Sequence, residues 1–188
     1  NCKYSISSNS GTSAILLALK AINLKKGDTV IIPSINFIAA ANLSKILGAK
    51  VYFSDVNNIT GQMTPRDLLD CIKKNKIKKI KVFFTMHNSG YNNFAKEFFK
   101  IKNKFKCYLI EDACHALGAN NSANPKDLVG NCRYSDLTTF SFHPLKSITT
   151  GEGGMTTTNN INFYNLMAEF RNHGFALKKK SKIYDWKH

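Results

Sequence analysis

The chain has 188 residues, 43% of them hydrophobic, which suits one sizeable core and argues against disorder. Its formal net charge of +15 comes from 27 Lys and Arg against 12 Asp and Glu, and Arg66, Arg133 and Arg171 are its only arginines. A solvated, lysine-biased surface outweighs a nucleic-acid footprint, because no zinc finger, basic heptad region or RNA-binding aromatic signature accompanies the charge.

The chain opens on a short strand, and Gly11 to Ile22 reads as a helix with apolar Ile15, Leu16, Leu19 and Ile22. Gly27-Asp28 turns into a buried strand, Thr29 to Ile32, which Pro33 ends. An alanine-rich helix comes next, from Phe37 to Leu47, then a strand from Lys50 to Ser54. Thr64 is the expected N-cap of a helix to Lys74, with Pro65 at its first position. Ile80 to Thr85 is a strand, Asn88-Ser89-Gly90 a loop, and Phe94 to Phe105 a lysine-rich amphipathic helix. Strands at Cys107–Glu111 and Leu137–Phe142 flank a polar loop from Ala119 to Asn131. Gly154 to Thr158 is a strand and Ile161 to Arg171 a helix, with a lysine-rich tail from Leu177 to His188. Such alternation predicts an α/β fold: a three-layer α/β/α sandwich with a mainly parallel mixed sheet. No apolar run has spanning length, so no membrane partner is expected. Five cysteines, an odd number without a C-x-x-C pair, read as free thiols in a reducing compartment, and no metal-ligand spacing is present.

Three features carry chemistry. Small residues from Ser7 to Ala14 run straight into a helix, an arrangement that on its own reads first as an ordinary N-cap and second as a cradle for an anion. Asp112 ends a strand, where open α/β sheets place ligands. Glu111, Asp112 and His115 admit a metal reading that lacks further ligands. Lys146 lies between a strand and the glycine-rich turn Gly151-Glu152-Gly153-Gly154. A carboxylate at one strand end and a lysine after the next is the pairing that a pyridoxal 5'-phosphate (PLP) enzyme needs.

On the segments SGTSAILLAL (10–19), IIPSINFIAAAN (31–42), EDACHALGA (111–119), SDLTTFSFHPLKSITTGEGGMTTTN (135–159) and RNHG (171–174), the chain resembles the DegT/DnrJ/EryC1/StrS sugar aminotransferases, fold-type I PLP enzymes. Within that group, 111–119 and 141–155 look most like the transaminases that act in pseudaminic acid synthesis. The resemblance implies that Lys146 is the Schiff-base lysine and proton shuttle. It implies that Asp112 pairs with the pyridinium nitrogen and that Gly11, Thr12 and Ser13, helped by Ser141, bind the phosphate. Phe37 aligns with the residue that stacks on the ring, and His115 would lie near the ring and its 3'-oxygen. His143 reads equally as a turn-stabilising residue or a direct participant. Asn36 stands where the family more often has threonine.

The implied reaction moves an amino group from L-glutamate to a nucleotide-linked 4-keto-6-deoxy sugar, in a cytoplasmic homodimer. Another ketosugar or a catalytically incomplete fragment remain alternative readings. The family pattern extends beyond both ends of this sequence. Residues 1–176 are therefore expected to form a PLP-binding large domain, incomplete at its N-terminus, and 177–188 the start of a connection to a small C-terminal domain.

Overall fold

Residues 30–32, 82–84 and 109–110 are apolar without a break, the pattern of strands covered on both faces. The computed structural model, which describes residues 2–121 and 124–175, shows that arrangement. Val30, Ile32, Val82, Phe84 and Ile110 point to one side of a sheet, while Ile31, Phe83 and Leu109 point to the other. The first side is covered by helices α1 (Gly11–Ala21), α2 (Ala39–Ile46) and α5 (Ile161–Arg171). The second is covered by α3 (Pro65–Lys74) and α4 (Ala95–Phe105).

The strands are β1 (Tyr4–Ser8), β2 (Thr29–Pro33), β3 (Lys50–Ser54), β4 (Val82–Met86), β5 (Tyr108–Asp112), β6 (Asn120–Asn121), β7 (Asn124–Leu128), β8 (Leu137–Ser141) and β9 (Gly154–Thr158). Seven of them form one sheet in the order β1-β9-β8-β5-β4-β2-β3. The pairs β3/β2, β2/β4, β4/β5 and β5/β8 are parallel, and β9 runs antiparallel to both neighbours. The expected three-layer α/β/α fold is therefore present.

Local chemistry explains most element bounds. Thr64 caps α3 through a capping box: its Oγ1 accepts the Asp67 N–H, and Asp67 Oδ2 accepts the Thr64 N–H at 2.8 Å. Ser10 caps α1 by accepting the Ser13 N–H at 3.1 Å. Helix α2 begins at Ala39, two residues after the expected start, and Asn88–Gly90 closes as a 3₁₀ turn. The polar stretch read as a loop contains the small β6–β7 hairpin. Its two short strands lack an apolar alternation that would mark them in the sequence. The expected segment 177–188 lies outside the described residues.

Candidate active site

Four parallel strands, β2, β4, β5 and β8, end on the same edge of the sheet, and the residues at and just beyond their ends build one cleft of about 550 Å³. Beyond β2 lie Ile35, Asn36 and Phe37; β4 ends at Met86, with Asn88 two residues on; β5 ends at Asp112; β8 ends at Ser141, with Lys146 in the next turn. Because β9 is antiparallel, its first residue, Gly154, lies on that edge too. A Cβ on Gly154 would sit 2.1 Å from the Ser10 carbonyl oxygen, so only glycine lets the N-terminus of α1 close onto the sheet.

That N-terminus is one wall of the cleft. A Cβ on Gly11 would lie 2.8 Å from Ser141 Cβ and 3.4 Å from Cys114 Sγ. Ser10 takes the Ser13 N–H, and the Ser10 carbonyl accepts the Ala14 N–H at 3.0 Å. The Gly11 and Thr12 N–H groups precede the helix's own ladder. No acidic side chain occupies the first turn, so the helix start favours an anion.

Asp112 is 1% exposed. Burial raises its pKa above the ordinary 3.8, opposed by hydrogen bonds from Cys114 and by the charges of His87 and His115. Its Oδ1 accepts the Cys114 N–H at 3.2 Å. Burial first, then the charge of Asp112, pushes the Cys114 thiol far up, so the sulfur stays protonated. Lys146 lines the same cleft and forms no ion pair among the described residues. His115 is lowered, by burial first and then by the Lys146 charge, against the pull of Asp112. Phe37 is 69% exposed and offers its ring to the cleft.

Gly11, Thr12, Phe37, Asp112, His115, Ser141 and Lys146 thus all line one cleft. Ser13 does not: its N–H and hydroxyl are both engaged with Ser10 in the helix cap. His143 accepts the Leu145 N–H on Nδ1 at 3.2 Å, which makes it a turn-stabilising residue at the cleft wall. The metal reading fails on strand geometry. Adjacent residues of β5 face opposite ways, and Glu111 turns to the side away from Asp112. There Glu111 Oε2 accepts Thr138 Oγ1–H at 2.7 Å and Ser135 Oγ–H at 2.8 Å, and Oε1 lies 3.3 Å from His87 Nε2. No group of three or more His, Cys, Asp or Glu that could hold a metal occurs among the described residues.

Sequence reasoning missed Met86, Asn88 and Cys114 in the cleft wall. Cys114 could have been found, since it lies two residues from Asp112 in a segment already singled out. Met86 and Asn88 could not, because only the β4/β5 register (Met86 opposite Asp112) brings them there.

Residues 1–187 match the model of the DegT/DnrJ/EryC1/StrS aminotransferase family. The chain belongs to this family. It is 33% identical over 178 residues to the GDP-perosamine synthase of Escherichia coli O157:H7, covering 95% of this chain and 46% of that protein. It is 34% identical over 177 residues to the UDP-4-amino-4,6-dideoxy-N-acetyl-beta-L-altrosamine transaminase of Campylobacter jejuni, covering 94% and 45%. The crystal structure of NtdA from Bacillus subtilis with bound cofactor PMP superposes with a TM-score of 0.82 at 30% identity, covering 98% of this chain and 40% of that one. The chain thus spans less than half the length of these relatives. Aminotransferases of the family depend on PLP.

The cleft fits that cofactor. It joins a buried carboxylate, a lysine with no ion pair among the described residues, an exposed aromatic ring and a helix start that a single Cβ at Gly11 would obstruct.

Proposed function

We propose that this chain carries the cofactor site of a PLP-dependent sugar aminotransferase. The observation that supports it best is that Asp112, Lys146 and the start of α1 share one cleft. When bound, PLP supplies an aldehyde that takes up an amino group and a ring that draws electrons from the adjacent carbon. Asp112 would pair with the protonated ring nitrogen. A buried carboxylate with a raised pKa is poorly placed without a cation beside it, so such a nitrogen fits it. The Gly11 and Thr12 amides and the Ser141 hydroxyl would hold the phosphate, and Phe37 would cover a ring face. The role expected for Ser13 reduces to holding the helix start through Ser10.

Lys146 would be the covalent anchor and, once released, the group that takes a proton from one carbon and returns it to another. One amine suffices as base and acid when both carbons lie within its reach. The Cys114 thiol, neutral and beside Asp112, leaves the carboxylate charge for the ligand.

For the substrate we infer a nucleotide-linked 4-keto-6-deoxy sugar, with L-glutamate as amino donor. The names of the two relatives above, one a GDP-sugar and one a UDP-sugar enzyme, support this class. The match of 111–119 and 141–155 supports a UDP-sugar of pseudaminic acid synthesis within it. No helix among the described residues is long and apolar enough to cross a membrane, and we place the enzyme in the cytoplasm. A homodimer is supported by apolar side chains left exposed in and beside the cleft wall: Ile35, Phe37, Ile38, Leu145 and Ile148.

The test is the visible spectrum of the chain mixed with PLP, with Lys146→Ala as control. A band that needs Lys146 and shifts on adding L-glutamate is the expected result. A full-length protein that gives no lysine-dependent band would refute the reading.

A further inference from the structure

His115 and Asn88 both line the cleft, and His115 Nδ1 lies 3.2 Å from Asn88 Oδ1. An amide oxygen has no proton to give. With the Asn88 amide oxygen turned to Nδ1, the proton of this contact belongs to Nδ1, and in a neutral ring Nε2 then carries the lone pair. His115 is exposed overall, and the partial desolvation of its ring, with the Lys146 charge second, lowers its pKa and favours the neutral ring.

Asn88 is itself held in place from several sides. Its carbonyl accepts Gln62 Nε2–H at 3.1 Å, and Gln62 is buried. The preceding residue, His87, is buried against Glu111 and donates its N–H to the Asp112 carbonyl at 3.0 Å. The next two residues, Ser89 and Gly90, both have positive φ, and the Gly90 N–H returns to the His87 carbonyl at 3.1 Å. The Asn88 side chain thus projects from a turn that β4, β5 and the segment before α3 fix together.

We propose that Asn88 is a positioning residue that sets His115 as its Nδ1–H tautomer, so that Nε2 presents an acceptor to a hydroxyl or ammonium donor of the bound ligand. His115 then receives a hydrogen bond from the ligand and does not give one. The identity of the ligand rests on the proposed function; the tautomer is a property of the ligand-free chain.

Two measurements test this. Imidazole ¹⁵N NMR of the ligand-free chain should show His115 protonated on Nδ1. Asn88→Leu should release that tautomer, and Asn88→Asp, which keeps an acceptor oxygen, should retain it. An Nε2–H tautomer in the unsubstituted chain, or one indifferent to Asn88→Leu, overturns the proposal. In a PLP titration, Asn88→Leu should weaken binding roughly 2- to 10-fold, the range of one neutral hydrogen bond, and should do nothing further in a His115→Phe background. Equal weakening in both backgrounds would make Asn88 a general support of its loop and also overturn the proposal. An Nδ1–H tautomer in a chain that takes up no PLP would count against the proposed function and leave the role of Asn88 in fixing the ring standing.

Discussion

Glu111 and Asp112 are consecutive residues of one strand, and the fold treats their charges in opposite ways. Burial alone would raise Glu111, but the hydrogen bond and charge of His87, with Thr138 and Ser135, outweigh it and hold the carboxyl below its ordinary 4.5. A depressed acid contributes stability above its unfolded value and loses it as pH falls through its folded value. The contribution of Glu111 should therefore be lost on acidification below about pH 4.5, and Glu111→Gln should remove that component of the pH dependence while costing about 3 kcal/mol near neutrality, read in urea melts across pH. Asp112 has the opposite sign: its raised pKa means that ionising it costs stability as pH rises above 3.8. Asp112→Asn should leave the fold as stable or slightly more so, yet weaken PLP binding at least tenfold. A clear loss of stability in that variant would show that the carboxylate is structural. Gly11 offers a cleaner steric test. Its φ is not positive, so alanine suffers no backbone penalty there, only the 2.8 Å approach to Ser141 Cβ. Gly11→Ala should cost about 1–2 kcal/mol in the same melts and impair PLP binding, with Ser141→Gly restoring the stability in part but not the binding, since it also removes the hydroxyl assigned to the phosphate.

At the scale of elements, the sequence was legible where one segment contains both signal and answer. The N-cap of α3 is one case, for Thr64 and Pro65 stand side by side at its start. Thr64→Ala should lower stability by about 1 kcal/mol and leave the PLP spectrum unchanged, since α3 lies across the sheet from α1 and away from the cleft. Asp112 and Gly11 were legible for the same reason, since one ends a strand and the other begins a helix, and Lys146 because it stands in the turn between β8 and a glycine-rich run. What stayed hidden depends on register between strands. The His87–Glu111 pair and the Asn88–His115 contact join β4 to β5, and neither partner names the other in sequence. Threonines misled differently. Thr138, Thr139, Thr156, Thr157 and Thr158 are all buried, which their polarity does not suggest. Their hydroxyls are satisfied in and around the sheet, as when Thr156 donates to the Ala14 carbonyl of α1 at 2.9 Å and Thr157 to that of Gly130, in the turn after β7, at 2.8 Å.

For the whole molecule, the question is what covers the apolar side chains around the cleft. Ile38 and Ile148 are more than half exposed, and Leu145 almost wholly so. A second copy seated there would make the chain dimeric at micromolar concentration, and Ile148→Asp should raise the dissociation constant at least tenfold in sedimentation equilibrium. A chain that stays monomeric at tens of micromolar would show that this surface alone does not hold a dimer. The order in which the molecule is made matters too. Tyr4 in the first strand pairs with Thr158 in the last, and Ser10 packs against Gly154. A ribosome must therefore deliver almost the whole sheet before the start of α1 has a surface to close on. The parallel β2–β5 region can assemble early from nearer neighbours, whereas the long loop between β1 and β9 closes late. On this view the cleft matures only once β9 is available, and any anion it holds arrives at a scaffold already built.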